Sequence, residues 1–323
     1  MNKGKLIAAV FVIFTFSIFI FAQNPPSPMP TVSPTPTLPE ILDKADGQTR
    51  IYLETFKNLL SEETKTFEIY DKRGEVKKRR SVVSTFIVYP LSKDENQITE
   101  FRSVISVDGK ALEKTDQRAQ EFFEQIVKVE SSKKELERLQ KESSRYDQDI
   151  YISGLTLFQS IALSRDLRSL FEFNIESTEQ IDGSEVFLVA YRQTKQSPYI
   201  TINSEAERDG GKLTQNFDVE IDKKVDLNER MRGKLWIDAD TFQIRREQRE
   251  MTIQPEGFTS PLIVVEDNFE FQNSDFGILT PKKVTHLQNR VKIKDKTAIK
   301  EIKVVFDYEK FTKPDVEVQG EVK

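Results

Sequence analysis

The stretch that most narrows what this chain can become is GKLWIDADTFQIRREQRE, Gly233 to Glu250. Met231, Leu235 and Ile237 fall on alternate positions, and Phe242 and Ile244 do so beyond Asp238-Ala239-Asp240. That is the period of two half-buried strands joined by a tight turn. The same period predicts strands at Thr64 to Tyr70, Ser81 to Tyr89, Gln97 to Val107, Leu170 to Thr178 and Glu185 to Gln193. It continues at Pro198 to Asn203, Leu213 to Ile221, Arg230 to Asp238, Thr241 to Ile253, Leu262 to Phe271, Lys282 to Ile293 and Ile299 to Phe311. Consecutive strands joined by short turns are antiparallel neighbours, and an open sheet rarely exceeds ~10 strands without curling. The expected architecture is one long, strongly curved meander. Ser81–Tyr89 and Glu185–Gln193 carry apolar residues on both faces, so parts of the sheet are covered on both sides.

Helical spacing interrupts this pattern in three places. Ile41, Leu42, Ala45, Tyr52, Leu53, Phe56, Leu59 and Leu60 predict an amphipathic helix over Glu40 to Leu60, weakened at Gly47. From Ala111 to about residue 143, Leu112, Ala119, Phe122, Phe123, Ile126, Val129, Leu136 and Leu139 recur at steps of three, four or seven in a highly charged stretch. It reads as one long helix, or two broken at Ser131-Ser132, laid over the sheet. A coiled-coil reading is weaker, because Lys133 interrupts the stripe and the repeats are few. A short apolar helix is expected at Leu155 to Leu163.

The N-terminus indicates the compartment. Lys3 and Lys5 precede an apolar run from Leu6 to Phe21, closed by the small Ala22, which is the pattern of a secretory signal peptide. A retained membrane anchor is the competing reading. Cleavage near Ala22 is favoured because the next stretch is the Pro-rich NPPSPMPTVSPTPTLP and not a basic cluster, and that stretch reads as an extended tether. The expected organisation is therefore a signal peptide at 1–22, a linker at 23–39, one domain at 40–312 with a helical insertion at 111–169, and a tail at 313–323. The location is periplasmic or secreted.

Composition excludes more than it assigns. Removing Lys3 and Lys5 from the 48 Lys and Arg leaves 46 against 53 Asp and Glu, with the signs interleaved. A concentrated basic face is absent, which argues against nucleic acid or an anionic membrane surface as partner. There is no cysteine and one histidine, His286, so no disulfide framework, lipidated cysteine or imidazole metal site is expected. His286 shares its expected strand face with Lys282, Gln288, Arg290 and Lys292 and is read as solvent-exposed. No G-x-S-x-G elbow or phosphate-binding glycine loop occurs, and Gly210-Gly211 sits in a polar turn. Carboxylate pairs such as Asp238 with Asp240 and Glu266 with Asp267 arise by chance in so acidic a chain, and Glu205 to Gly211 resembles a calcium loop only in being acidic. No catalytic residue, cofactor or metal ligand is expected, and the chain is read as a non-enzyme.

The order of elements, with the hairpin residues Gly233, Leu235, Trp236, Ile237, Asp238, Thr241, Gln243, Ile244 and Arg246, resembles the LolA-like superfamily of periplasmic lipoprotein-carrier and lipoprotein-sensor domains. The resemblance implies a mainly β (α+β) fold: a curved antiparallel half-barrel of about 11–12 strands, unclosed, with helices on its concave face. It also implies an apolar cavity that takes acyl chains in carrier members. The expected lining is Leu235, Ile237, Ile263, Val265, Phe269, Phe271, Ile302, Val304 and Phe306, the alternative being that these form closed core. Trp236, on the face of Arg232 and Lys234, is expected at a rim or a partner contact. The charged stretch 111–143 departs from a compact carrier. Two functions are compatible with this pattern: an exported carrier-type protein for a lipid or lipoprotein acyl chain, and a non-enzymatic envelope module that binds another protein and has a filled core.

Overall fold

In the computed structural model, the described residues run from 35 to 313, apart from 58, 91–97, 114, 116–120, 123, 127–132, 149, 151, 153, 204–214 and 224–225. The expected signal segment, most of the Pro-rich stretch and the tail beyond 313 lie outside them. So do Ala119, Phe123, Val129, the Ser131-Ser132 break and the 205–211 segment, and nothing is described of the Leu136 side chain.

Helix α1, Leu38–Phe56, starts with Pro39 in its first turn, and Glu40 reaches back to the Thr37 N–H at 2.7 Å, the reciprocal cap expected of T-x-x-E. It buries Ile41, Leu42, Ala45, Tyr52 and Phe56. The helix stops before Leu59 and Leu60, which the sequence spacing had included. Leu60 instead exchanges two 2.8 Å backbone hydrogen bonds with Thr312, and this pairing draws the chain into β1, Leu60–Tyr70. Hairpins then give β2, Val76–Pro90, β3, Ile98–Val107, and the two-residue β4, Lys110–Ala111.

Helix α2, Lys133–Ser143, is followed by a strap, residues 144–164, irregular in its described residues, and by the four-residue α3, Arg165–Arg168. The helix expected at Leu155 to Leu163 is not formed. Gly154 at φ +75° and Ser160 at φ +35° break the segment, and only Ile161–Leu163 completes a 3₁₀ turn. Its apolar residues recur closely because the strap lies flat on the core.

Strands β5, Phe171–Ile181, and β6, Ser184–Gln193, pair through Asp182-Gly183 as the sequence predicts. β7, Ile200–Ile202, and β8, Gln215–Phe217, depart from prediction: they form a separate two-stranded parallel ladder. Asn203, at φ +51°, takes both main-chain groups of Val219 with its amide, at 2.8 and 2.7 Å, in place of a neighbouring strand. Ile200, Ile202, Phe217 and Val219 then cover the core instead of extending the sheet. β9, Arg230–Asp238, β10, Ile244–Ile253, β11, Leu262–Asn273, β12, Leu279–Lys292, and β13, Thr297–Tyr308, complete the chain.

Among the described residues, eleven strands form one open antiparallel sheet in the order β4-β3-β2-β1-β13-β12-β11-β10-β9-β6-β5. It is not a single meander, because β1 lies beside β13, registered from Glu63↔Tyr308 to Ile69↔Ile302. Two meanders are therefore joined along the first and last strands.

The inner face meets α1, the strap and the β7–β8 ladder in one continuous core. α1 bridges distant strands: Tyr52 stands edge-on to Phe271 of β11 at 6.2 Å, and Phe56 meets Phe86 of β2 at 6.4 Å. Ile87 and Phe101, on the opposite face of β2 and β3, form a second small cluster with Phe122, Ile126 and Leu139. The charged stretch that the sequence laid over the sheet thus covers its outer side, at the β3 edge.

The β9–β10 hairpin explains its own motif. Asp238 Oδ1 accepts from the N–H of Asp240 and of Thr241 and from the Thr241 hydroxyl, at 3.1, 2.8 and 3.0 Å, and Oδ2 accepts from Arg245 at 2.7 Å. Gln243 bridges to the next turn through Gly277 O and Leu279 N. Gly233 is required by space: a Cβ there would lie 2.1 Å from the Gln248 carbonyl and 2.5 Å from the Tyr191 hydroxyl, whose ring crosses the glycine. Gly233→Ala should cost about 1–3 kcal/mol in chemical denaturation, through overpacking. Burial acts to raise the Asp238 pKa, but the hydrogen bonds from Thr241 and Arg245 outweigh it and hold the carboxyl below its ordinary range. A depressed carboxylate stabilises above its unfolded pKa of about 3.9 and loses that stabilisation as pH falls through its folded value. Asp238→Asn should therefore cost about 1–3 kcal/mol at neutral pH, and its gap from wild type should close in melts run below about pH 4.

Candidate functional site

The inner face is not uniformly apolar. Alternation along β1 points Glu63, Lys65 and Phe67 to the same side, and all three are buried. Arg102 of β3 reaches Glu63 with two bonds, Nε to Oε1 at 2.7 Å and Nη2 to Oε2 at 2.9 Å, and touches Glu100 at 3.2 Å. Its guanidinium also stacks over Phe86, 5.0 Å from the ring centre. Burial works against the Arg102 charge, yet Glu63 and Glu100 outweigh it and raise its pKa well above the ordinary value. Lys65 pairs with Asp147 of the strap. Burial, and then the nearby Arg102 charge, lowers the Lys65 pKa.

A second cluster is centred on β10, four strands away from β1. On β10, Arg249 contacts Glu247 through Nε at 3.3 Å and Nη2 at 3.2 Å. The Tyr191 hydroxyl, whose pKa is raised by burial and by the Glu247 charge, donates to Glu247 at 3.0 Å. Asp267 of β11 meets His286 Nδ1 of β12 at 2.7 Å. His286 is thus buried, contrary to the sequence reading. A bulge between Gln288 and Asn289 shifts the register of β12 against β13, so Val284 and His286 share the inner face while Val291 regains it from the opposite parity.

Both clusters hold the strap. Glu100 accepts from Gly154 N at 2.9 Å, Thr156 N at 3.3 Å and Thr156 Oγ1 at 2.6 Å. The Thr156 carbonyl in turn accepts from the Tyr52 hydroxyl of α1 at 2.6 Å, a hydroxyl whose pKa is pushed well up by burial and by Glu100. Glu247 Oε2 accepts from Ser160 N at 3.1 Å. Arg165 and Arg168 at the end of the strap face Asp46 of α1 at 3.4 and 3.7 Å. The strap is fastened to the sheet largely through side-chain carboxylates.

The apolar floor runs along β9, β11 and β13. Leu235, Ile237, Val265, Phe269, Phe271, Val304 and Phe306 are all buried in the main core, and Ile302 is half-buried against it. Ile263 is half-buried and outside that core, because the bulge opposite Met251 and Thr252 gives the inward place to Val264. A cleft of about 200 Å³ opens between Ser103 and Val104 of β3 and Phe122, Gln125, Arg138 and Glu142. A smaller pocket of about 20 Å³ is lined by Glu100, Arg102, Ser143 and Asp147. Neither is bounded by the apolar floor. Trp236 stands half-buried on the outer face, opposite Leu188 and Arg246, and its indole N–H donates to Glu179 at 3.0 Å. Among the described residues no group of three or more His, Asp or Glu could hold a metal ion, and no helix is long and apolar enough to cross a membrane.

The sequence reading missed Glu63, Lys65, Glu100, Arg102, Glu247, Arg249 and Asp267. The available signal was alternation itself, since Glu63 and Lys65 keep step with Phe67.

No family model and no curated protein matches the chain. In the course of the chain it is similar to the crystal structure of a DUF1329 family protein from Desulfovibrio piger, with 12% identity, 86% of this chain and 93% of that one covered, and a TM-score of 0.31. It is likewise similar to a LolA superfamily protein from Nitrosomonas europaea, with 8% identity, 87% and 95% coverage, and a TM-score of 0.32.

Breaking a buried pair strands the partner's charge, so Arg102→Ala should destabilise the protein by about 3–5 kcal/mol in urea titration. Glu100→Gln should leave the sheet amides slow to exchange. It should speed hydrogen exchange at Gly154 and Thr156 at least about tenfold, as a lost charge-assisted bond implies.

Proposed function

We propose that the protein is an exported, carrier-type binding protein of the cell envelope for a hydrophobic ligand, a lipid or an acylated chain. In this reading 1–22 is removed near Ala22, 23–39 is a tether and 40–312 is the binding domain. The observation that carries it is the strap. A segment whose described residues pair with no strand lies across an apolar floor and is fastened by Glu100, Glu247 and Lys65, so it can lift without unmaking any described strand. Leu235, Ile237, Val265, Phe269, Phe271, Val304 and Phe306 would then meet the ligand, with Ile263 and Ile302 at its margin.

One observation favours the rival reading, an envelope interaction module with a filled core: those seven residues are closely buried together. Native mass spectrometry of the exported full chain, with organic extraction afterwards, separates the two. The carrier reading expects a reproducible added mass that extracts as lipid, with greater uptake from lipid extract by Glu100→Gln/Glu247→Gln. A ligand-free mass in both proteins after incubation with lipid would overturn it in favour of the module.

A further inference from the structure

We propose that the free edge of β5 accepts an extended, basic segment of a partner protein as an added strand. The two ends of the sheet are treated differently. At one end β4 is only two residues long, and the outward N–H of Arg102 on β3 is taken by the Ser143 hydroxyl at 3.0 Å, beneath α2. Short strands and covering helices are what natural sheets use to stop edge pairing. At the other end β5 runs eleven residues, has β6 as its one hydrogen-bonded strand neighbour among the described residues, and contains neither lysine nor proline.

The hairpin geometry states which groups are open. Asp182 and Gly183 both have positive φ, +50° and +83°, as a two-residue primed turn requires. Ile181 and Ser184 therefore close the ladder as a hydrogen-bonded pair, and by alternation Gln180 and Thr178 turn their N–H and C=O groups away from β6.

Side chains define the occupant. From Leu170 to Glu185 the chain carries Glu172, Glu176, Glu179, Asp182 and Glu185 and no basic residue. Arg192 and Lys234 reach Glu172 and Glu176 from the sheet side only, leaving these carboxylates 59% and 37% exposed. A second copy of β5 would set glutamate against glutamate, which is unfavourable across strands, whereas lysine or arginine would be held. On the other face Phe173 and Ile175 are half-buried against the core, and apolar residues of an incoming strand would extend them. The partner segment thus alternates basic with apolar residues. The bulge between Ile175 and Ser177 sets the length of regular edge on either side.

The test uses the exported full chain and two capped synthetic peptides, one alternating valine with lysine and one alternating valine with glutamate. Isothermal titration should show binding of the lysine peptide and none of the glutamate peptide. Thr178→Pro, which removes one outward N–H, should weaken binding at least about tenfold at an unchanged melting temperature, as strand addition requires. Should Thr178→Pro fail to fold, Glu172→Lys/Glu176→Lys/Glu179→Lys carries the same test and should reverse the peptide preference. Equal binding of both peptides, no binding, or binding untouched by both variants overturns the proposal. So does a wild-type dimer that Thr178→Pro dissolves, which would assign the edge to a second copy.

Discussion

Arg102 joins parts of the molecule that no stretch of backbone joins. Its side chain fixes Glu63 on β1 and Glu100 on β3, and its N–H is capped by Ser143 at the end of α2. Glu100, so positioned, holds Gly154 and Thr156 of the strap, and Thr156 holds Tyr52 of α1. A guanidinium suits this role because its planar fork presents several donors in fixed directions while staying charged in a dry setting. Replacing it with lysine would supply one point charge where two carboxylates must be oriented. The inner helix, the outer helix and the strap therefore depend on one buried cation.

Buried ion clusters of this kind add little net stability, because desolvation offsets most of the attraction. What they supply is a unique arrangement. An apolar strap could slide over an apolar floor, whereas Glu100 and Glu247 accept only donors at particular places. The outer face obeys a different rule. There Arg232 pairs with Glu250 and Lys234 with Glu176 in partly exposed rungs, each worth at most about 1 kcal/mol, and their contribution is solubility more than fastening.

Much of the sheet was legible in the sequence because period-two alternation survives wherever strands pair without interruption. The hairpin at 230–253 needed only its apolar spacing and the Asp238 turn. Charged residues on the inner face were not legible, since burial is ordinarily inferred from apolarity, and Glu63 or Arg249 reads as surface until its partner is known. Bulges hid more. The register shift at Ile244/Arg246 brings Glu247 inward out of step with Ile244, the one opposite Met251/Thr252 gives the inward place to Val264, and the one at Gln288/Asn289 brings Val291 inward out of step with Val284 and His286. The second neighbour of β1, β13, was also out of reach, because adjacency of first and last strands leaves no local trace.

That adjacency bears on how the polypeptide is made. Ser61 meets Glu309, 248 positions further along the chain, and until β13 arrives β1 has one flank unfilled and the two meanders remain separate. Non-local pairing of this sort is slow, because the entropy of closing a long loop is lost before any contact rewards it. A nascent chain built this way stays unfinished, and hence threadable, for nearly the whole of its synthesis. Placing the closing strand after all the others thus works as a timer on completion of the sheet.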